Sequence, residues 1–352
     1  MTEKQGFELV AAIAAEQKLP EPGVSAVVGL LDGGATVPFI ARYRKEATGG
    51  LDEVQIRTIE ERKAYLTELE ERRETILNSI QESGKLTPEL ETKIRAADTK
   101  TELEDLYLPY KPKRRTRATI AREKGLEPLA ERILAQPLGA TPLEDAAEYV
   151  DDEKEVASPE EALKWAREIV AERVVEDADV RRRLRNIMWE KGDLVTGAVE
   201  ESASERTKFE DYYDHREPVA KVPSHRYLAI RRGESEGVLR ASVDYDEESF
   251  KADVEEHFAL NTQSAYSEQL RTAIADGVKR RLAPSVETDV RVDLKMRSDR
   301  DAVDIFAQNL ENLLLAAPFG GRPVVGIDPG LRTGCKCAAL DGTGKYLETI
   351  TI

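Results

Sequence analysis

Apolar residues recur at helical spacing through residues 51 to 83, where Leu66, Leu69, Ile76, Leu77 and Ile80 lie on one side of a stretch that holds neither Gly nor Pro. This pattern predicts one long helix, entered from Thr48-Gly49-Gly50 and stopped at Gly84. Thr87-Pro88 then supplies a cap and a first helical residue for a helix through the nineties. Thr101 with Glu104, and Ser158 with Pro159 and Glu161, have capping-box spacing and predict two further helix starts. Ser224 after Pro223 predicts a short helix, HRYLAIRR, closed by Gly233. Leu239, Ala241, Val243 and Tyr245 alternate with polar residues, the period of a half-buried strand.

Farther on the pattern is ambiguous. Val290, Val292, Leu294 and Met296 also alternate, although helix formers surround them. Ser298 with Asp301 predicts the start of another helix, whose Ala302, Ile305, Phe306, Asn309, Leu310, Leu313 and Leu314 form one stripe. Pro318, Gly320, Gly321 and Pro323 read as a hinge before an apolar run, Val324 to Ile327, and a turn at Asp328-Pro329-Gly330. No repeat of solenoid period is present.

Composition narrows the class. With 40% apolar, 34% charged and 6% aromatic residues over 352 positions, several mainly helical domains are expected rather than a sandwich or barrel. The net charge of −16 argues against a chain that grips nucleic acid along its whole surface, so any phosphate contact must be a local patch. Cys335 and Cys337 share one strand face, where a mutual disulfide is awkward, and are expected to be reduced. Neither a membrane span nor a signal-peptide pattern is present, and a soluble, cytoplasmic protein is expected.

Charge is segregated along the chain. Residues 111 to 124 carry seven Lys or Arg against one Glu, and residues 141 to 161 carry nine Asp or Glu against one Lys. In the basic loop Tyr110 offers a stacking face, while Lys111, Lys113, Arg114, Arg115, Arg117, Arg122 and Lys124 could reach phosphates without reading bases. The same loop could instead dock on the protein's own carboxylates. Arg42, Arg44 and Lys45 form a second basic site or a solvated helix face, and Arg181, Arg182, Arg183 and Arg185 read as a solvated face. His215, His225 and His257 lack metal-ligand spacing, GLLDGGATVPF lacks the Lys-Ser/Thr step of a phosphate loop, and no triad is visible.

Five strings together carry a resemblance: TVPFIARYRKEATGGLDE (36 to 53), EDLYLPYKPKRRTRATIAREKGLEPLA (104 to 130), VPSHRYLAIRRGE (222 to 234), NLLLAAPFGG (312 to 321) and GIDPGLRTGCK (326 to 336). In this order they resemble the Tex family of bacterial transcription accessory proteins, over nearly the whole chain, with a more distant likeness to a eukaryotic transcription elongation factor that handles histones. The resemblance implies a mainly α, multidomain fold. It comprises an N-terminal helical region with a helix-turn-helix-like part, small central α/β elements and the first hairpin of an RNase H-like (YqgF) α/β domain. The implied divisions are residues 1–195, 196–320 and 321–352, the last expected to be cut within its domain. The family's helix-hairpin-helix modules and C-terminal OB-fold, with which its nucleic-acid binding is chiefly associated, are then expected to lie outside this chain. The resemblance also suggests helix over residues 285 to 297.

Asp328 has two readings. In an RNase H-like nuclease an acid ending the first strand joins others to hold divalent metals; alone it is part of a turn. The expectation is a non-enzymatic scaffold without cofactor or metal, making a sequence-independent contact with RNA or DNA or with the transcription machinery. Lys111, Lys113, Arg114, Arg115 and Arg117 are the first candidates for phosphate contact, and Arg42, Arg44 and Lys45 the second. The alternatives are a metal-dependent nuclease that uses Asp328 and a pure protein-interaction scaffold.

Overall fold

The computed structural model describes residues 3–112, 115–199, 207–318, 320–330 and 334–352, with side chains from residue 9 onward. It is mostly helical, with two small sheets. Two compact units emerge. The first comprises residues 1–194, 218–220 and 242–290, and the second residues 195–217, 221–241 and 291–352.

In the first unit, α1 (Glu3–Gln17), α2 (Glu21–Asp32) and α3 (Val37–Tyr43) pack on the start of α4 (Glu53–Glu82). Ile13, Val24, Val27, Ile40, Ile56 and Ile59 are the centre of this core. Gly23 allows α2 to approach the turn between α3 and α4, since a Cβ there would stand 2.7 Å from the Thr48 carbonyl oxygen. The long helix predicted from Leu51 to Ser83 is present. Asp52 caps it with a full capping box, accepting from Gln55 N–H at 2.8 Å, and Gly84 takes φ +69° beyond its end. Against its second half lie α5 (Pro88–Ala96) and α6 (Lys100–Tyr107), around Leu69, Ile76, Leu77, Ile80, Ile94 and Leu103. Thr87 caps α5 as expected, but α6 is capped by Thr99, which accepts from Glu102 N–H, and not by Thr101. Both threonines stand three residues before a Glu, so spacing alone does not separate them.

The short helices α7 (Arg117–Glu123), α8 (Glu127–Ala135) and α9 (Pro142–Ala147) surround α10 (Pro159–Glu176). Ser158 caps α10 as predicted, accepting from Glu161 N–H at 3.2 Å. Then come α11 (Ala178–Glu190), with the sheet strands β1 (Asp193–Ala198) and β2 (Asp214–Pro218), and α12 (Ser224–Ser235). Next are β3 (Leu239–Asp244), α13 (Glu247–His257), α14 (Ser267–Gly277), a π-helical turn Val278–Leu282, and α15 (Ala283–Leu314). α14 crosses α10 closely enough that a Cβ on Gly277 would lie 3.2 Å from the Ala171 carbonyl oxygen.

The second unit holds most of a three-stranded sheet in the order β2-β1-β3, with α12. Residues 239–244 form the predicted strand. Two sequence expectations fail here. Ser224 is the first residue of α12 and its hydroxyl donates to Asp301 at 2.5 Å, whereas Pro223 occupies the cap position. Gly233 does not end α12: it is buried inside the helix, because a Cβ there would fall 2.5 Å from Leu239 Cδ1. The reversal is made at Gly237, with φ +74°.

α15 is continuous across both the ambiguous alternation and Ser298, so the helix suggested by resemblance over residues 285 to 297 is correct and the separate start at Ser298 is not. Ser298 is fully buried and its Oγ has no partner among the described residues. Within the second unit Tyr227 donates to the Arg291 carbonyl at 2.8 Å, and Arg291 grips Glu234 with both oxygens at 2.6 Å. The stripe beyond Ser298 is not a core face: Ile305, Phe306, Leu310, Leu313 and Leu314 are exposed among the described residues. Periodicity shows that a face is apolar, not that something covers it.

The final strands, β4 (Val324–Gly330), β5 (Gly334–Leu340) and β6 (Tyr346–Thr351), form an antiparallel sheet in that order. Asp328 stands opposite Lys336, and Pro329 opposite Cys335, so the predicted turn at Pro329-Gly330 is instead the end of a paired strand. An edge position tolerates a proline that has no N–H to give. The two cysteines are free, as expected.

Candidate nucleic-acid interface

The basic segment begins where a 3-10 turn, Leu108–Tyr110, follows α6. Lys111 is exposed, and Lys113 and Arg114 lie outside the described residues. The remainder is not a loop. Thr116 accepts from Thr119 N–H at 3.1 Å and caps α7, while its hydroxyl reaches Glu172 at 3.1 Å. Arg115 pairs with Glu123 at 2.7 Å and Arg117 with Glu168 at 3.4 Å, yet their side chains stay 69% and 62% exposed, leaving donors of each guanidinium facing solvent.

Arg122 and Lys124 serve the interior. Arg122 binds Glu172 at 2.7 Å and Glu127 at 2.8 Å. Burial would lower its pKa, but the hydrogen bonds and charges of these two carboxylates outweigh that cost and hold it above the usual value. Lys124 is almost covered: it reaches Glu155 at 3.2 Å and stands 5.4 Å from the centroid of the Trp165 ring. The self-docking reading therefore holds for these two residues, and one of their partners, Glu155, comes from the acidic stretch.

Tertiary structure adds cations that sequence reasoning missed. Glu168, on α10 and nearly buried, is met by Arg117, by Arg280 at 3.4 Å and by Arg281 at 2.5 Å. Arg280 also pairs with Asp276 at 2.9 Å, and Lys279 beside it is exposed. Three arginines thus converge on one carboxylate, drawn from segments more than 150 residues apart in the chain. The run Lys279-Arg280-Arg281 was the available signal, but nothing in its neighbourhood distinguishes it from a solvated face.

The cluster at Arg181 to Arg185 is a correction. Arg181 and Arg185 are not solvated: Asp105 accepts from Arg181 Nε at 2.6 Å and from Arg185 at 2.9 Å, and Asp289 reaches both at 3.2 Å. Arg182 and Arg183 remain at the surface, paired with Asp179 at 2.7 Å and Asp253 at 3.0 Å. Arg42, Arg44 and Lys45 are exposed at the end of α3 and in the turn after it. Among the histidines, His215 lies 3.0 Å from Glu217 and His257 3.2 Å from Asp177. Asp328 lies in β4, and the described residues contain no group of three or more His, Cys, Asp or Glu placed to hold a metal.

Fold and surface together define a helical protein of two compact units with a concentrated cationic cluster on an acidic body. Models of one family match it in order: the Tex-like protein N-terminal domain over residues 7–81, the Tex central region over 139–306 and the Tex protein YqgF-like domain over 322–352. The chain is 47% identical over 349 residues to protein YhgF of Escherichia coli K12, covering 97% of this chain and 45% of that protein. It is 45% identical over 342 residues to the transcriptional accessory protein Tex of Neisseria gonorrhoeae, covering 94% and 44%. To the human S1 RNA-binding domain-containing protein 1 it is 26% identical over 352 residues, covering 96% and 35%. The chain belongs to the Tex family, and it spans a little under half the length of these bacterial relatives. No helix among the described residues is long and apolar enough to cross a membrane.

Proposed function

We propose that this chain is a binding scaffold of a Tex-like transcription accessory protein, contacting RNA or DNA phosphates without sequence preference and without breaking a bond. The contact comprises Lys111, Lys113, Arg114, Arg115 and Arg117, extended by Lys279, Arg280 and Arg281. In the same reading, residues 1–195 form the helical region with its helix-turn-helix-like part, 196–320 the central region, and 321–352 the start of an RNase H-like fold, acting in the cytoplasm. The convergence of Arg117, Arg280 and Arg281 on the single carboxylate of Glu168 carries the proposal. Glu168 and Asp276 set two negative charges against three guanidinium groups and the exposed Lys279 beside them, so the surface there keeps a positive excess that suits a polyanion. The names of two relatives, a transcriptional accessory protein and an S1 RNA-binding domain-containing protein, support the same direction.

The test is a salt titration of affinity for a single-stranded oligonucleotide. The five cations from Lys111 to Arg117 alone predict a slope of about −3.5 in log K against log salt, steeper if Lys279, Arg280 and Arg281 also meet phosphates. Replacing Lys111, Lys113, Arg114 and Arg115 by alanine, which spares the three arginines that meet Glu168, is expected to flatten that slope by roughly 3. Binding that is absent or indifferent to salt refutes the reading. For the non-enzymatic part, the expected result is no Mg²⁺-stimulated strand scission by the purified chain; scission lost in Asp328→Ala would establish the nuclease alternative.

A further inference from the structure

Away from this cluster, the end of α3 presents a group of side chains that the interior does not use. Phe39 and Tyr43, one helical turn apart, are 40% and 62% exposed, with ring centroids 5.4 Å apart. The Arg44 guanidinium sits 5.1 Å from the Phe39 centroid, covering that ring and leaving Tyr43 the more open of the two. Arg42 and Lys45 are exposed beside them. Arg44 donates to the Tyr43 carbonyl at 3.1 Å, and none of the three cations forms an ion pair with a described residue. Residues 37 to 51 hold only one carboxylate, Glu46, against these three.

The turn that carries them is tightly wound. The Lys45 carbonyl accepts from Gly50 N–H at 2.8 Å and from the Thr48 hydroxyl at 3.2 Å, and Thr48 N–H reaches the Arg44 carbonyl at 3.1 Å. Gly49 and Gly50 take φ +70° and +86°, which side-chain-bearing residues adopt only with strain. Thr48 is buried beside Gly23 of α2, so the turn is anchored to the core, and the exposed groups are held in place before any ligand arrives.

We propose that Phe39, Arg42, Tyr43, Arg44 and Lys45 form a stacking site for single-stranded nucleic acid, with a base on the Tyr43 ring and the neighbouring phosphates on the three cations. Aromatic faces interleaved with unpaired cations suit a strand whose bases are free to stack, and a duplex, whose bases are already stacked, gains only the charge. This rests on the reading that the chain binds nucleic acid, but it names a second site and the strand form that site selects.

Fluorescence anisotropy separates the two. The probes are a labelled oligothymidine and a labelled duplex, and the proteins are the wild-type chain, Phe39→Ala/Tyr43→Ala, and the variant with alanine at Lys111, Lys113, Arg114 and Arg115. All the substituted side chains that are described are exposed. The ring variant is expected to lose about fivefold or more in affinity for the single strand, with duplex binding and salt slope unchanged, and Tyr43→Trp is expected to retain binding. A ring variant that binds the single strand like wild type, while the variant at residues 111 to 115 loses affinity, overturns this site and leaves the nucleic-acid reading standing. An equal loss for strand and duplex also overturns stacking. No binding by the wild-type chain to either probe refutes the broader reading as well.

Discussion

Asp105 is the residue whose removal should cost the first unit most. Its two oxygens are divided between Arg181 at 2.6 Å and Arg185 at 2.9 Å, and the side-chain exposures are 7%, 6% and 14% respectively. Burial would lower the Arg185 pKa; Asp105 and then Asp289 more than offset this, leaving it raised, and its buried Nε still has no partner among the described residues. Asp105→Asn keeps the shape and removes the charge, stranding two guanidinium groups. Breaking a buried pair from one side costs about 3–5 kcal/mol. Because the half-exposed Asp289 remains 3.2 Å from both arginines, the lower end, about 3 kcal/mol, is expected. That is roughly a hundredfold in the folding equilibrium. Both tryptophans, Trp165 and Trp189, belong to the first unit, so urea titration followed by tryptophan fluorescence reads this unit directly. The midpoint should fall with the slope unchanged. Arg57→Ala, which removes an exposed pair with Glu53, is the control and should cost under about 0.5 kcal/mol. Adding Arg181→Met to Asp105→Asn should recover part of the loss, since one stranded charge goes with it. If Asp105→Asn behaves like the control, the argument from buried charge is wrong.

Other outcomes follow from local geometry. Gly23→Ala places a methyl 2.7 Å from the Thr48 carbonyl and should destabilise by about 1–3 kcal/mol in the same titration. Ser158→Ala removes the cap of α10 and should cost about 1 kcal/mol, with Ser158→Thr largely neutral. Burial first, and then the charge of Glu247, raise the Tyr245 pKa to about 12, with Glu287 adding to the rise and Lys251 opposing it. The folded state therefore holds its proton more tightly than the unfolded one. That contribution is fully present below the unfolded pKa of about 10 and is lost as pH rises through about 12. Denaturant midpoints over that alkaline window should decline less in Tyr245→Phe than in wild type. Near pH 7, the same change removes a buried hydroxyl that has no partner among the described residues, and it should be neutral or stabilising.

The sequence by itself determined what depends on near neighbours. The long helix α4, the stop at Gly84, the caps at Thr87 and Ser158 and the strand over residues 239–244 rest on residues a few positions apart. At these positions the tertiary surroundings left the local signal unopposed. The family was legible for a related reason, since its long strings stand in order along the chain. The failures share a cause. Thr99 and Thr101 offer the same cap, Gly233 looks like a helix stop, and Arg181 looks like Arg182 until α6 and α15 arrive to bury one and leave the other at the surface. Only the tertiary structure decided these, and it also brought Lys279, Arg280 and Arg281 into the Glu168 cluster and sent Arg122 and Lys124 inward. A charge is buried or exposed according to partners dozens to more than a hundred residues away, and no local period records where the chain will bring them.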